Sequence, residues 1–280
     1  MSIEKNLDLA INTIQNSQAL LITAGAGIGV DSGLPDFRGN QGLWQSYPAL
    51  GSAKLNFTDI ANPKNFHSQP HLAWGFYGHR LSLYRQITPH IGFDVLYKLC
   101  QKIENYFVVT SNVDGHFQKS GFPTDKIYEV HGSIHYLQCS KPCLPENWSA
   151  DELVINHDTI DRQNCLWKNN LPKCKFCREI ARPNILMFGD FAWVDNQFQK
   201  QADNFYNWCA AQLDTSEITA IEIGAGTAIP TIRNLSERFA KKIIRINSRE
   251  AGDLSNNRSC QIIPIPMSAK AAITYIEKNM

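Results

Sequence analysis

The chain has 280 residues, 43% of them hydrophobic, and a formal net charge of +1 at neutral pH. That length can bury a real core in one large domain with a small appendage, and so small a charge supplies no bulk field for nucleic acid or an anionic membrane. No apolar run reaches the roughly 20 residues of a bilayer span, and the polar, helix-like start Met1–Asp8 lacks a secretion signal, so a cytoplasmic location is expected.

Residues 3–16 place Ile3, Leu7, Ala10, Ile11 and Ile14 at helical spacing. The apolar run Ala19–Ile22 reads as a buried parallel strand that empties into Gly25, Gly27, Gly29 and Gly33. Side-chain-free residues there let backbone N–H groups approach an anion, although many such turns only pack a helix on a sheet. The loop runs on into Pro35-Asp36-Phe37-Arg38. Arg38 can meet a phosphate, Phe37 can shield a reacting carbon from water, and Asp36 can orient a ring or ribose. The glycine spacing is G-x-G-x-G, and no acid follows a second strand about 20 residues on, which argues against a dehydrogenase.

Residues 40–69, rich in Gly, Pro, Asn and Ser, read as an irregular excursion above the sheet. Helices are expected from Pro70 to about Ile87 and over Ile91–Glu104. On the first, Tyr77 and Arg80 stand three apart and share a face; they are either a core Tyr with a snorkelling Arg or a binding pair. Strands are expected at Tyr106–Val109, Ile127–Val130, Asn184–Phe188, Ile218–Ile223, Ile243–Ile246 and Ile262–Ile265, and further helices at 195–213, Thr231–Lys241 and Ser268–Lys278. This alternation implies an α/β fold with a doubly wound parallel, Rossmann-like sheet, whose ligands sit beyond the carboxyl ends of the strands. The polar groups cluster at those ends. Asn112 and Asp114 follow one strand, as ligand contacts or as turn-formers. His131-Gly132 follows the next, where a lone His is by default a packed or surface residue.

Of eight cysteines, Cys139-x3-Cys143 and Cys174-x2-Cys177 form two close pairs with 30 residues between them. Four thiolates at such spacing suit a closed tetrahedral zinc site that folds a loop-rich segment. Cys165, between the pairs, is not expected to be a ligand.

Taken together, Gly25-Ala26-Gly27-Ile28 with Ser32-Gly-Leu-Pro-Asp-Phe-Arg-Gly39, Thr110-Ser-Asn-Val-Asp114, His131-Gly132, the four cysteines, Arg182-Pro-Asn-Ile-Leu-Met-Phe-Gly-Asp190, Gly224-Ala-Gly-Thr227 and Asn247 resemble the sirtuins, NAD-consuming protein lysine deacylases. The likeness runs over roughly residues 18–265. It implies a Rossmann-like NAD-binding domain (1–45, 88–138, 178–280), a helical insertion of a small domain (46–87) and a zinc module (139–177). It implies NAD as co-substrate and structural zinc on Cys139, Cys143, Cys174 and Cys177. His131 would be the general base, with His135 as its competitor, and Asn112 would hold the ribose and a water. Asp114 would bond the nicotinamide carboxamide. Gly25, Ala26, Gly27, Asp36, Phe37, Arg38, Ser111, Gly224, Ala225, Gly226 and Asn247 would complete the cofactor site. Phe188 and Gly189 would pair with an acylated lysine peptide by strand addition. Tyr77 and Arg80 match the pair that holds acidic acyl groups in one sirtuin branch, so succinyl-lysine or malonyl-lysine would fit beside acetyl-lysine.

The resemblance also implies the products: free lysine, nicotinamide and O-acyl-ADP-ribose. Three departures, Gly29 for Ser, Ser111 for Gln and Ala225-Gly226 for Thr-Ser, each remove a polar contact near the cofactor, and the His of the stretch after Asp114 is shifted by one to His116. They leave protein mono-ADP-ribosyl transfer or NAD hydrolysis as the alternative activity.

Overall fold

A computed structural model describes residues 2–35, 39–212, 218–252 and 260–280. Its strands in chain order are β1 (Ala19–Ala24), β2 (Tyr106–Thr110), β3 (Ile127–Glu129), β4 (Gly132–Cys139), β5 (Trp148–Ser149), β6 (Ile160–Asp161), β7 (Leu166–Trp167), β8 (Ala181–Ile185), β9 (Ile218–Ile223), β10 (Lys242–Ile246) and β11 (Gln261–Ile265). The main sheet runs β11-β10-β9-β1-β2-β3 and every pairing in it is parallel. β1 lies between β2 and β9, so the strand order reverses on either side of it. At such a switch point the loops diverge and leave a crevice beyond the carboxyl ends.

Helices cover both faces. Helices Ile3–Gln15, Ile91–Ile103 and Ala269–Lys278 pack Leu7, Ile14, Leu96 and Ile273 on one face against Leu20, Ile22 and Val108. On the other, Phe205 of helix Asn196–Ala210 and Ile232 of helix Thr231–Phe239 meet Leu21, Phe107 and Ala220. All six residues of β1 are buried, as a two-sided parallel strand requires. The sheet interior also holds an ion pair. Arg245 on β10 stands in register with Glu222 on β9, 2.6 Å away, and reaches Glu237 at 3.0 Å. A buried guanidinium is tolerable only when charges and hydrogen bonds meet it in this way.

A third hydrophobic cluster lies apart from the sheet. Trp74, Phe76, Tyr77 and Leu81 of helix Pro70–Gln86 pack with Leu43, Leu50 and Phe66 and with Ile160 and Trp167 of the segment between the cysteine pairs. Gly75 permits this packing: a β-carbon there would stand 2.1 Å from the Cys165 carbonyl oxygen.

Two expectations from sequence differ from the fold. Residues 40–69 contain four short helices, Gly39–Ser46, Pro48–Ser52, Phe57–Ile60 and Asn65–Ser68, where an irregular excursion is expected. The strand expected at 184–188 lies at Ala181–Ile185, antiparallel to β4. Its polar residues mask it: Arg182 and Asn184 are fully buried and find their partners across the fold rather than in solvent. No helix among the described residues is long and apolar enough to cross a membrane.

Candidate active site and metal centre

The crevice is framed by the loops after β1, β2, β9 and β10. The Gly25 N–H donates to the Ile223 carbonyl (2.9 Å) and the Gly27 N–H to the Gly224 carbonyl (3.0 Å). The two loops touch backbone to backbone, since a β-carbon at Gly27 would lie 2.6 Å from the Gly224 Cα. The expectation that the Gly25 and Gly27 N–H groups face an anion is therefore corrected: both are spent on the β9 loop, and these glycines serve close approach. Gly29, where a Ser is usual in the resemblance, faces Leu34, whose Cδ1 would lie 2.8 Å from a β-carbon. Asp36, Phe37 and Arg38 lie outside the described residues.

Asn112 closes the crevice from the β2 side. Its backbone N–H donates to the Thr110 hydroxyl and its amide N–H to the Gly25 carbonyl (3.1 Å), which ties the β2 loop to the β1 loop. Asp114 is buried, and one of its carboxylate oxygens accepts from the His116 N–H. On the other side, Asn247 is buried at the end of β10. Its amide donates to the Ala225 carbonyl and its oxygen accepts from the Arg249 and Glu250 N–H groups. Gly27, Gly224 and Asn247 line one cavity together with Asp31 and Ser268, two residues that motif reading missed. A β-carbon at Gly226 would stand in ordinary contact (3.7 Å) with Glu250, whose carboxylate accepts from the Thr227 N–H and hydroxyl.

His131 stands between β3 and β4. Burial pushes its pKa down, partly opposed by its hydrogen bond to the Ser111 carbonyl. The ring is neutral at pH 7, and the nitrogen turned from Ser111 is an acceptor, the state a general base needs. His135 is committed elsewhere: its Nε2 donates to the Asp114 carbonyl at 2.9 Å. Glu129, two residues before His131, is a further group that sequence reading passed over. A lone acid in a short strand looks solvent-facing, yet helix Asn196–Ala210 covers it and Gln201 bonds it through both backbone and side chain. Burial pushes its pKa up to about 7.

In the loop after β8, Leu186 donates its N–H to the His131 carbonyl and Phe188 donates its own to the Ala61 carbonyl. Gly189 is exposed with φ +66. The ring of Phe188 meets Phe57 edge-on, Phe57 meets Phe76, and the Arg80 guanidinium lies 5.4 Å from the Phe76 ring. Arg80 is buried and donates to the Tyr84 hydroxyl. Tyr77 is fully buried, and its hydroxyl has no hydrogen-bond partner among the described residues.

The four paired cysteines converge, with all ligand atoms within 4.8 Å of one another. The Cys139–Cys177 and Cys143–Cys174 sulfurs are 3.6 and 3.7 Å apart. Zinc–sulfur bonds of about 2.3 Å in a tetrahedron put sulfurs about 3.8 Å apart, so this donor set fits zinc with no open position. Cys165 is buried outside the cluster.

A family model described as the Sir2 family matches residues 25–211. Among curated proteins, an NAD-dependent protein deacylase of Aquifex aeolicus is 31% identical over 182 residues, covering 65% of this chain and 66% of that protein. One of Candida albicans is 29% identical over 207 residues, covering 61% and 65%. The chain thus spans just under two thirds of the length of these relatives. Among solved structures, a Sir2 homologue–NAD complex shares the fold at a TM-score of 0.69 and 20% identity, over 97% of this chain and 93% of that one.

Removing zinc should unfold the module it holds. Chelation is expected to release one zinc per chain and lower the melting temperature, and Cys174→Ser should be purified without stoichiometric metal; full metal content in that variant would disprove the ligand set. Glu129 generates a pH signature. Its carboxyl is raised on folding, so its contribution is complete below about pH 4.5 and is lost as pH rises through about 7. Thermal melts should show wild-type stability falling relative to Glu129→Gln between about pH 4.5 and 7 and levelling above that; parallel curves across this range would contradict the assignment.

Proposed function

The chain belongs to the Sir2 family, and on that premise we propose that it is an NAD-dependent protein lysine deacylase acting on acylated lysine side chains of polypeptides. The observation that carries this reading is the pairing of His131 with the β2 loop. The Val130 N–H donates to the Thr110 carbonyl (2.9 Å), which sets His131 beside Ser111 and Asn112 of that loop, and burial keeps its imidazole neutral. NAD supplies a nicotinamide–ribose bond whose cleavage drives acyl transfer. Asn112, Asp114, Ala26 and Asn247, with the glycines at the ends of β1 and β9, would hold it, and the described part of the crevice offers a cavity between Gly27, Gly224 and Asn247. Asp36, Phe37 and Arg38 belong to the same proposal on sequence alone.

At the reacting centre, the ring nitrogen of His131 turned from Ser111 would accept the proton of a ribose hydroxyl. The neutral state of the ring keeps that nitrogen ready at pH 7. The peptide would lie along Phe188 and Gly189, with its acylated side chain directed toward Phe57 and Phe76. Tyr77 and Arg80 would then meet the acyl end. A buried hydroxyl with no partner among the described residues is costly, and Tyr77, whose ring lies 5.7 Å from the Arg80 guanidinium, supports an acyl group that ends in a carboxylate. The division into a nucleotide-binding lobe (1–45, 88–138, 178–280), an insertion (46–87) and a zinc module (139–177) is part of this proposal. The hydrophobic cluster around Trp74, apart from the main sheet, supports it; that cluster also draws on Ile160 and Trp167 of the zinc module and on Leu43, Ile134 and Ile185 of the lobe's ranges.

His131→Ala is expected to leave NAD binding measurable by calorimetry while lowering turnover of acyl-lysine peptides to free lysine at least about a hundredfold, the scale of a lost general base. Normal turnover in that variant would remove the assignment. Arg80→Met should weaken turnover of succinyl-lysine relative to acetyl-lysine; an equal loss on both peptides would discard the acidic-acyl pocket.

A further inference from the structure

The loop after β8 carries an observation that the reading above does not use. Residues 186–194 are held from beneath along their whole length. Arg182 and Asp190 form a fully buried bidentate pair at 2.8 and 2.9 Å, and Asp190 also accepts from the Ala192 N–H. Gln138 donates to the Ala192 carbonyl and accepts from the Val194 N–H. Asn184 donates to the Val194 carbonyl. Trp193 lies against Gly132, beside His131, and stacks on Phe198.

Between the anchored residues Asp190 and Ala192, Phe191 presents its entire side chain to solvent (103% relative exposure), and Leu186, bonded to the His131 carbonyl, is 37% exposed. A loop tied at so many points has little slack with which to fold a ring away. The exposure is a property of a stiff turn, and it places apolar surface next to Phe188 and Gly189.

We propose that Phe191 and Leu186 determine which polypeptides are processed, favouring an apolar or aromatic residue close to the acylated lysine. This rests on the deacylase reading. Continuity argues for the occupant: both side chains belong to the segment that would receive the peptide backbone, and a strand laid along Phe188 and Gly189 sets its neighbouring side chains against the flanking residues. Covering such a ring removes apolar area from water, and an acidic or glycine neighbour forgoes that gain. Phe191 is thereby a specificity-determining residue rather than a catalytic one.

The test uses the full chain, NAD and a panel of acyl-lysine peptides that differ only in the residues flanking the lysine: Leu or Phe against Gly or Asp. Nicotinamide release should give a kcat/KM at least about tenfold higher for the apolar flanks, mainly through KM. In Phe191→Ser and Leu186→Ser that ratio should fall toward one, with the melting temperature unchanged. Indifference of the wild type to the flank, or a ratio preserved in both variants, overturns the proposal while leaving the deacylase reading intact. Absence of nicotinamide release from every peptide overturns the deacylase reading and this one with it.

Discussion

The crossing of two backbones at the carboxyl edge of the sheet is the constraint on which the site depends. β1 and β9 are neighbours in register, and the loops leaving them do not diverge at once. The Gly27 N–H meets the Gly224 carbonyl, and neither position has room for a β-carbon. This contact sets the floor of the crevice, and Asn112 from β2 and Asn247 from β10 bond into it from either side, through the carbonyls of Gly25 and Ala225. Four loops from four strands thus form a single hydrogen-bonded platform. Because the platform is made of main-chain groups, its shape is set by glycine positions and strand register more than by the side chains that project from it.

The opposite wall is built differently. There the antiparallel pair β4 and β8 lies beneath the loop that follows β8, and buried polar side chains do the positioning. Arg182, Gln138 and Asn184 reach up from the strands and hold the loop by its carbonyls and by Asp190. Such groups are costly to bury and become stabilising only when their partners are all in place. The result is a loop with defined geometry without regular secondary structure. His131 sits at the junction of these two constructions. It follows β3 of the parallel sheet, opens β4 of the antiparallel one and bonds to the β2 loop. The zinc-type cysteine cluster closes the far end of β4 and ties it to the chain before β8.

Much of this was legible in the amino-acid order. The main-sheet strands are runs of Ile, Leu and Val buried on both faces, and such runs declare themselves by composition. The cysteine pairs declare themselves by spacing, because four thiolates near one ion leave few alternatives. That His131 and Asn112 follow strands was legible too, and α/β sheets keep their ligands at strand ends. The reading failed where polarity and burial part company. β8 was expected three residues too late because Arg182 and Asn184 do not look like strand interior. Glu129 was passed over because nothing local shows that Gln201, 72 residues on, will cover it. The glycines after β1 were read as an anion cradle, whereas the Gly25 and Gly27 N–H groups are taken by the carbonyls of Ile223 and Gly224, nearly 200 residues away.

Local order alone therefore determined the strands of the main sheet and the longer helices around it, that this sheet is parallel, and which residues can bind a metal or carry a proton, since these follow from periodicity, spacing and side-chain chemistry within short stretches. The tertiary structure decided which donors are already spent and which carboxyl is kept from water. It also decided which ring is left facing solvent. Those outcomes depend on groups brought together across long stretches of chain, where a hydrogen bond made in one place removes a donor from another.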